Sequence, residues 1–456
     1  MRKTTGTWLG LALGAALVGC GGGGSSGGGA APPKKGLVSS PAPGGSGAFG
    51  VVTIAGHQKM YLPQPGLLTA AGNATIAVVD VGLAGQGVLG APALLKLIDL
   101  GDPAGVTATG GDATVVIAVS TDNRTITFID PTTDTVTKSI MLDASYGMSD
   151  FSGGGGFVTG VAVDSPNERA YLSVWDGFAI VDLSSKTIAG TIKVPPSENF
   201  GFDSVNQRIL APFYNCTSAT DPNTFAPPPF CANYKDQAGD VMTDGLNVID
   251  LLDDNTVYTY QDPQALSPAS PLGDEPDSAA ADPATGQIVI PSEGDALEYV
   301  VDLSQATFDK AHKSVTAPHI AIDASNADEL TGVAIEPTSH IAFFESELGP
   351  DMGAADLSTE TAAAPSYVHA PVPDLPDGTG WTNLFDPHGI AVTIGLIGGH
   401  PVGFLVSSDY HWVARVDLAA LLALPATAGN SPGQLEVTAD DASTAVTFLD
   451  ATTAAP

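Results

Sequence analysis

Chemistry in this chain has to come from carboxylates and a few imidazoles. Its 456 residues include 50 Asp and Glu, eight His and only three Cys. Their spacing excludes several familiar sites. There is no HxH or HExxH for a zinc enzyme, no CxxC for thiol redox work or a cysteine zinc site, and no CxxCH for a c-type haem. Gly85-Gln86-Gly87-Val88-Leu89-Gly90 has the form GxGxxG. The Ala91-Pro92-Ala93-Leu94-Leu95-Lys96 that follows is too short and proline-broken for the helix that holds a dinucleotide pyrophosphate. Gly24-Ser25-Ser26-Gly27-Gly28 has the form GxSxG but sits in a Gly/Ser tract, with no strand or helix to shape a nucleophile elbow. What remains is Glu198, Asp277 and His388, each just ahead of a similar apolar phrase, with Glu275, Glu329 and Asp386 as a second tier two residues earlier in their own repeats. Carboxylates with one imidazole suit a divalent cation. Ca²⁺ takes six to eight oxygens, and an imidazole suits Mn²⁺ or Zn²⁺ better. A solvated acidic rim is the competing reading of the same residues.

The elements that must position these residues form an internal repeat. Seven apolar runs end in aspartate: Val79-Asp80, Ile129-Asp130, Val181-Asp182, Ile249-Asp250, Val301-Asp302, Ala355-Asp356 and Val416-Asp417. The intervals of 50, 52, 68, 52, 54 and 61 residues match a four-stranded sheet plus its loops, the period of a β-propeller. The third repeat is the clearest, with strands at Gly160–Asp164, Arg169–Val174, Gly177–Val181 and Thr187–Val194 separated by turn residues. The expected fold is all-β, a propeller of seven blades with four antiparallel strands each; six blades is the alternative if the N-terminal strands complete the last blade. With Thr159 as reference, the matching positions at the starts of the innermost strands are Ala104, Glu198, Asp277, Thr331 and His388, which would converge at one mouth of the channel. The repeated aspartates have an ordinary role as acceptors for backbone N–H groups in the turns that follow.

Gly160-Val161-Ala162-Val163-Asp164, its Pro/Asn turn and the strand ending Val181-Asp182 resemble the blades of YVTN and NHL-type propellers. The carboxylate and His positions are similar to lactone-hydrolysing propellers, in which such side chains hold Ca²⁺ in the channel. That likeness implies Glu198, Asp277 and His388 as metal ligands, although the Asn pair of those enzymes is absent from these positions. A binding or assembly module is the first functional expectation, because no nucleophile motif stands out; a divalent-metal-dependent hydrolase of lactonase type is the alternative.

At the N-terminus, Arg2 and Lys3 precede an apolar stretch from Trp8 to Val18 that is too short to span a bilayer, the pattern of a signal peptide. Leu17-Val18-Gly19-Cys20 resembles the lipobox of bacterial lipoproteins, which implies cleavage after residue 19 and acylation of Cys20. Gly after that Cys implies the outer membrane, with the lipid as the only membrane contact. Residues 20–48 read as a flexible Gly/Ser/Pro tether, 49–450 as the propeller and 451–456 as a disordered tail. With Cys20 lipidated, Cys216 and Cys231 are left as a pair in an oxidising compartment, a disulfide stapling an insertion near 213–243. The cut leaves 14 Lys and Arg against 50 Asp and Glu, a net charge of −36. Such a field excludes nucleic acid and favours cations or basic partners; an envelope protein or a small ligand fits.

Overall fold

The structure is a computed structural model. It describes residues 50–54, 57–64, 73–83, 93–101, 108–120, 125–142, 160–174, 177–195, 197, 199–213, 242, 244–262, 271–273, 275–276, 278–292, 297–323, 330–346, 350–358, 367–381, 392–397, 399–407, 412–429 and 434–450. Short runs rich in Val, Ile and aromatics, each closed by Asp, Asn or Gly, form hairpins that stack into seven sheets. Blade 1 is β1 (Gly50–Ile54), β2 (His57–Gln64), β3 (Thr75–Leu83) and β4 (Ala93–Asp99). Blade 2 is β5 (Ala108–Gly111), β6 (Val116–Ser120), β7 (Thr125–Asp130) and β8 (Thr135–Met141). Blade 3 is β9 (Val161–Asp164), β10 (Arg169–Val174), β11 (Gly177–Asp182) and β12 (Thr187–Lys193), and blade 4 is β13 (Gly201–Asp203), β14 (Arg208–Phe213), β15 (Gly245–Asp250) and β16 (Thr256–Tyr260).

Blade 5 takes β17 (Ala280–Asp282), β18 (Gln287–Ser292) and β19 (Leu297–Asp302). The chain then leaves as a hairpin of β20 (Thr307–Asp309) and β21 (Ser314–Thr316) and returns as its outer strand β22 (His319–Asp323). Blade 6 is β23 (Leu330–Glu336), β24 (Ile341–Ser346), β25 (Asp351–Asp356) and β26 (Tyr367–Pro371). Blade 7 takes β27 (Val392–Ile397), β28 (His400–Val406) and β29 (Trp412–Asp417). It makes a longer excursion through helix α1 (Leu418–Leu422), β30 (Thr427–Ala428), β31 (Gln434–Glu436) and helix α2 (Ala439–Ala442), and ends in β32 (Val446–Asp450).

The two excursions repeat one device. β21 pairs in parallel with β16 and β31 in parallel with β26, so blades 5 and 7 each lay a strand on the outer edge of the preceding blade. An open edge is a template for unwanted pairing, and these latches cover two of them.

Seven hydrophobic clusters lie one at each junction between neighbouring blades. Phe128 with Leu172 fills the blade 2–3 junction, Tyr171 with Ile209 the blade 3–4 junction, and Val300 with Phe344 the blade 5–6 junction. Each fully buried Val, Leu, Ile or Phe contributes about 1.5–3 kcal/mol, so stability is distributed around the ring rather than concentrated in one core. The ring closes without strand exchange. All four strands of blade 1 come from the N-terminal side, the tail supplies the outer strand of blade 7, and the seam is packing: Met60, Leu62 and Val79 against Phe404, Val406 and Leu449. Gln58 Nε2 donates to the Leu396 carbonyl across it at 2.5 Å. Seven blades, not six, follow from this closure.

Candidate functional site

The seven repeated aspartates are acceptors for backbone N–H groups, six where the third strand ends and Asp80 within β3. Each takes a backbone N–H two or three residues ahead: Gly82 to Asp80 at 3.0 Å, Thr132 to Asp130 at 2.8 Å, Ser185 to Asp182 at 2.8 Å and Leu252 to Asp250 at 3.0 Å. Ser304 to Asp302 at 2.9 Å, Ser358 to Asp356 at 3.0 Å and Ala420 to Asp417 at 2.9 Å complete the set. The Thr132 N–H holds the Asp130 carboxyl below its ordinary range, and the Ser185 N–H does the same for Asp182. Such carboxylates stay ionised and occupied, unsuited to acid–base work.

A second set of acids closes the ends of the innermost strands on the same rim. Asp112 accepts from the Thr114 N–H at 2.8 Å, Asp203 from Asn206 at 2.9 Å, Asp282 from Ala284 at 2.9 Å and Glu336 from Ser339 at 2.6 Å, while Asp164 accepts from the Asn167 amide at 2.7 Å. Lateral bonds join these turns between blades: Thr114 with Ser165 at 2.5 Å, Asn167 to Gln207 at 3.2 Å, and His340 Nδ1 with Asp282 at 2.6 Å. Burial raises the Asp203 carboxyl, opposed by its bonds from Asn206. This rim is therefore a hydrogen-bonded girdle.

The ladder register tests the sequence alignment of the other mouth. Counting across the sheet from each repeated aspartate, Asp182 faces Arg169 and then Asp164, Asp250 faces Arg208 and then Asp203, Asp302 faces Gln287 and then Asp282, and Asp356 faces Ile341 and then Glu336. Five residues before these strand ends in the chain stand Thr159, Glu198, Asp277 and Thr331, of which only Thr331 is among the described residues. In blade 7, Asp417 faces Val402 and then Gly395, and five residues before Gly395 is Ile390, not His388. The alignment took a residue two positions too early because the β27–β28 hairpin runs on to Ile397 and His400, beyond the repeat's usual turn. In blade 2 the pairing of Gly111 with Val116 and the Asp112 turn likewise move the counterpart of Thr159 beyond Ala104.

Glu198, Asp277, His388, Glu329 and Asp386 lie outside the described residues, as do Cys20, Cys216 and Cys231. Glu275 is half-buried, with φ 55°, beside the bridge from Pro276 to Ser292. Thr331 is buried, and its carbonyl accepts the Ser278 hydroxyl at 2.5 Å. Among the described residues no three His, Cys, Asp or Glu are grouped to hold a metal ion.

The most unusual polar constellation lies between blades 5 and 6. On the blade 6 sheet, register places Asp351, Gly353 and Ala355 of β25, Tyr367 and His369 of β26, and Gln434 and Glu436 of β31 on one face. Gly353 leaves room for the Tyr367 ring, whose hydroxyl occupies the space a Cβ would need. His369 is 7% exposed; its Nδ1 is hydrogen-bonded to Glu436 Oε2 at 2.7 Å, while its Nε2, 3.3 Å from Asp351 Oδ1, lacks the geometry of a hydrogen bond. Across the junction Glu298 of β19 is fully buried, and among the described residues neither of its carboxyl oxygens has a hydrogen-bond partner, nor has the Tyr367 hydroxyl. Burial pushes the Glu298 carboxyl well above its ordinary value and, with the charge of Glu298, does the same for Tyr367. Burial pulls the His369 imidazole down, but the carboxylates of Asp351 and Glu436 outweigh it and the net shift is upward. Sequence reading missed this group: Glu298 stands inside an ordinary strand phrase, and His369 and Glu436 are 67 residues apart.

No known protein family matches the sequence, and no curated protein matches it. Among solved structures the chain is similar to a hypothetical selenium-binding protein from Sulfolobus tokodaii, with a TM-score of 0.50 at 12% identity over 90% of this chain and 92% of that one. It is also similar to a functionally unknown protein from Desulfotomaculum acetoxidans DSM 771, with a TM-score of 0.46 at 10% identity over 76% of this chain and 89% of that one. Hydrazine synthase of Kuenenia stuttgartiensis gives a TM-score of 0.44 at 12% identity over 74% and 92%. At such identities the likeness is one of fold, and function has to be argued from sites.

Proposed function

We propose that this chain is a lipid-anchored cell-envelope β-propeller that works as a binding or assembly module, engaging its partner through the rim opposite the aspartate girdle. The observation that carries this reading is the asymmetry of the two rims. On the girdle rim most connections are tight, as at 131–134, 165–168, 183–186, 204–207, 283–286 and 337–340. The longest connections other than the two excursions, 142–160, 214–244, 261–279 and 372–391, join strands at the opposite rim. Binding residues concentrate on long connections held by a rigid scaffold, whereas short turns with saturated hydrogen bonds serve the frame.

The strongly acidic composition favours a basic or cationic partner and steers its approach. Lipid on Cys20, followed by the 20–48 tether, would hold the ring at a membrane while leaving it free to turn toward that partner. A variant in which residues 215–241 are replaced by a short Gly/Ser linker tests the rim. It keeps the thermal midpoint of the ring, because no described strand is touched, and loses the partner captured by cross-linking on intact cells. Unchanged capture would refute the choice of rim.

A further inference from the structure

The His369 ring is fastened at one nitrogen only. Its Nδ1 is hydrogen-bonded to Glu436 Oε2 of β31 at 2.7 Å, while its Nε2 has no hydrogen-bond partner among the described residues. The residue is buried, so bulk water does not satisfy that nitrogen. Asp351 Oδ1 of β25 lies 3.3 Å from Nε2 without the geometry of a hydrogen bond.

A nitrogen and an oxygen in this relation have the geometry of two donors to one ion. Ligands held about 2.0–2.1 Å from a tetrahedral Zn²⁺ stand about 3.3 Å apart, each turned toward the metal and not toward its neighbour. The separation of Nε2 and Oδ1 has that value. A ligating imidazole usually gives its other N–H to a carboxylate, which fixes the tautomer and the ring orientation and leaves a lone pair for the metal. Glu436 holds that place on Nδ1.

The register of blade 6 brings a third donor to the same face. Gly353 of β25 pairs with His369 of β26, and the Tyr367 hydroxyl lies where a Cβ on Gly353 would stand. Tyr367 is fully buried, and its hydroxyl has no hydrogen-bond partner among the described residues. An imidazole, a carboxylate and a phenol oxygen suit a borderline divalent ion better than Ca²⁺, which takes six to eight oxygens.

We propose that His369 and Asp351, with the Tyr367 hydroxyl beside them, form a site for a divalent ion of the Zn²⁺ class, with Glu436 orienting the imidazole and water completing the coordination. The ion ties β25 to β26 and, through Glu436, to the latch strand β31. The site is built from the third and fourth strands of blade 6 and shares no residue with the Glu198, Asp277 and His388 set.

Titration of Zn²⁺ and Co²⁺ into the full-length protein, stripped of metal with a chelator and dialysed, tests the site. Competition with a chromogenic chelator reads the affinity, and visible absorption of Co²⁺ reads the geometry. The wild type takes up an ion with the spectrum of tetrahedral Co²⁺, and Zn²⁺ raises its thermal midpoint. His369→Gln and Asp351→Asn abolish both signals, and Glu436→Gln weakens binding about 10–100-fold. His312→Gln, which removes an exposed imidazole paired with Asp309 at 2.7 Å, leaves the affinity unchanged. No ion in the wild type, an ion still bound in His369→Gln or Asp351→Asn, or a loss in His312→Gln would overturn the proposal. Where the site variants do not fold, anomalous scattering at the zinc edge from wild-type crystals grown with Zn²⁺ decides: a peak within bonding distance of Nε2 and Oδ1 supports the site, and a peak only elsewhere, or none, overturns it.

Discussion

Replacing Glu298 with Met should stabilise the protein. Both carboxyl oxygens of Glu298 are buried with no hydrogen-bond partner among the described residues, and an unsatisfied buried polar group costs about 1–3 kcal/mol. Met has nearly the same length and no polar atoms, so it recovers that cost and adds apolar burial beside Val300 and Ile322. The gain grows with pH. Because the carboxyl is raised above its ordinary 4.5 in the fold, wild-type stability attributable to it is full below that value and falls as pH rises toward the raised one, by about 1.4 kcal/mol per pH unit. Urea unfolding of both proteins at a series of pH values, followed by tryptophan fluorescence, measures the difference directly. The expected result is a midpoint for Glu298→Met that exceeds the wild type at neutral pH by a margin that shrinks in acid. A destabilised variant, or a margin independent of pH, would refute the reasoning, since either means that Glu298 is ionised and paired.

Other outcomes follow from the frame and the proposed lipid anchor. Gly82→Ala loosens the ring seam, because a Cβ there would stand 2.7 Å from Ile397 Cγ2 at a φ of +153°; a loss of about 1–3 kcal/mol is expected in the same assay. Asp182→Ala removes the acceptor for Ser185 and costs about 0.5–2 kcal/mol at neutral pH. That carboxyl is depressed in the fold, so its contribution is present above the ordinary carboxylate range and disappears as pH falls through the depressed value; variant and wild type should converge in acid. Cys20→Ser abolishes labelling by a radioactive fatty acid and moves the protein from the membrane to the soluble fraction.

The period of the fold was legible because six of the seven blades end their third strand at an aspartate that accepts a backbone N–H just ahead, and in blade 1 Asp80 does so three residues before β3 ends, so an aspartate follows an apolar run at every repeat. Strand bounds in blade 3 match to within a residue for the same reason: Asp164, Asn167 and Asp182 are local signals with local partners. The alignment slipped at His388 because the β27–β28 hairpin extends to Ile397 and His400, and nothing in a pattern of apolar residues records how far a hairpin runs. The latches and the Glu298–His369 group were hidden for a different reason. Pairing of β31 with β26 and the approach of blade 5 to blade 6 are contacts between segments far apart in the chain, and single residues in ordinary strand phrases carry no mark of them.

The claim that binding is the work of the long-connection rim is tested most directly by placing a photo-crosslinking amino acid at exposed positions on each rim in living cells. Gly101, Met141, Pro350 and Thr379 represent the long-connection rim, and Thr132, Ser184, Leu252 and Thr338 the aspartate girdle. Discrete adducts from the first set and none from the second are the predicted result; adducts from the girdle, or from neither rim, would contradict it.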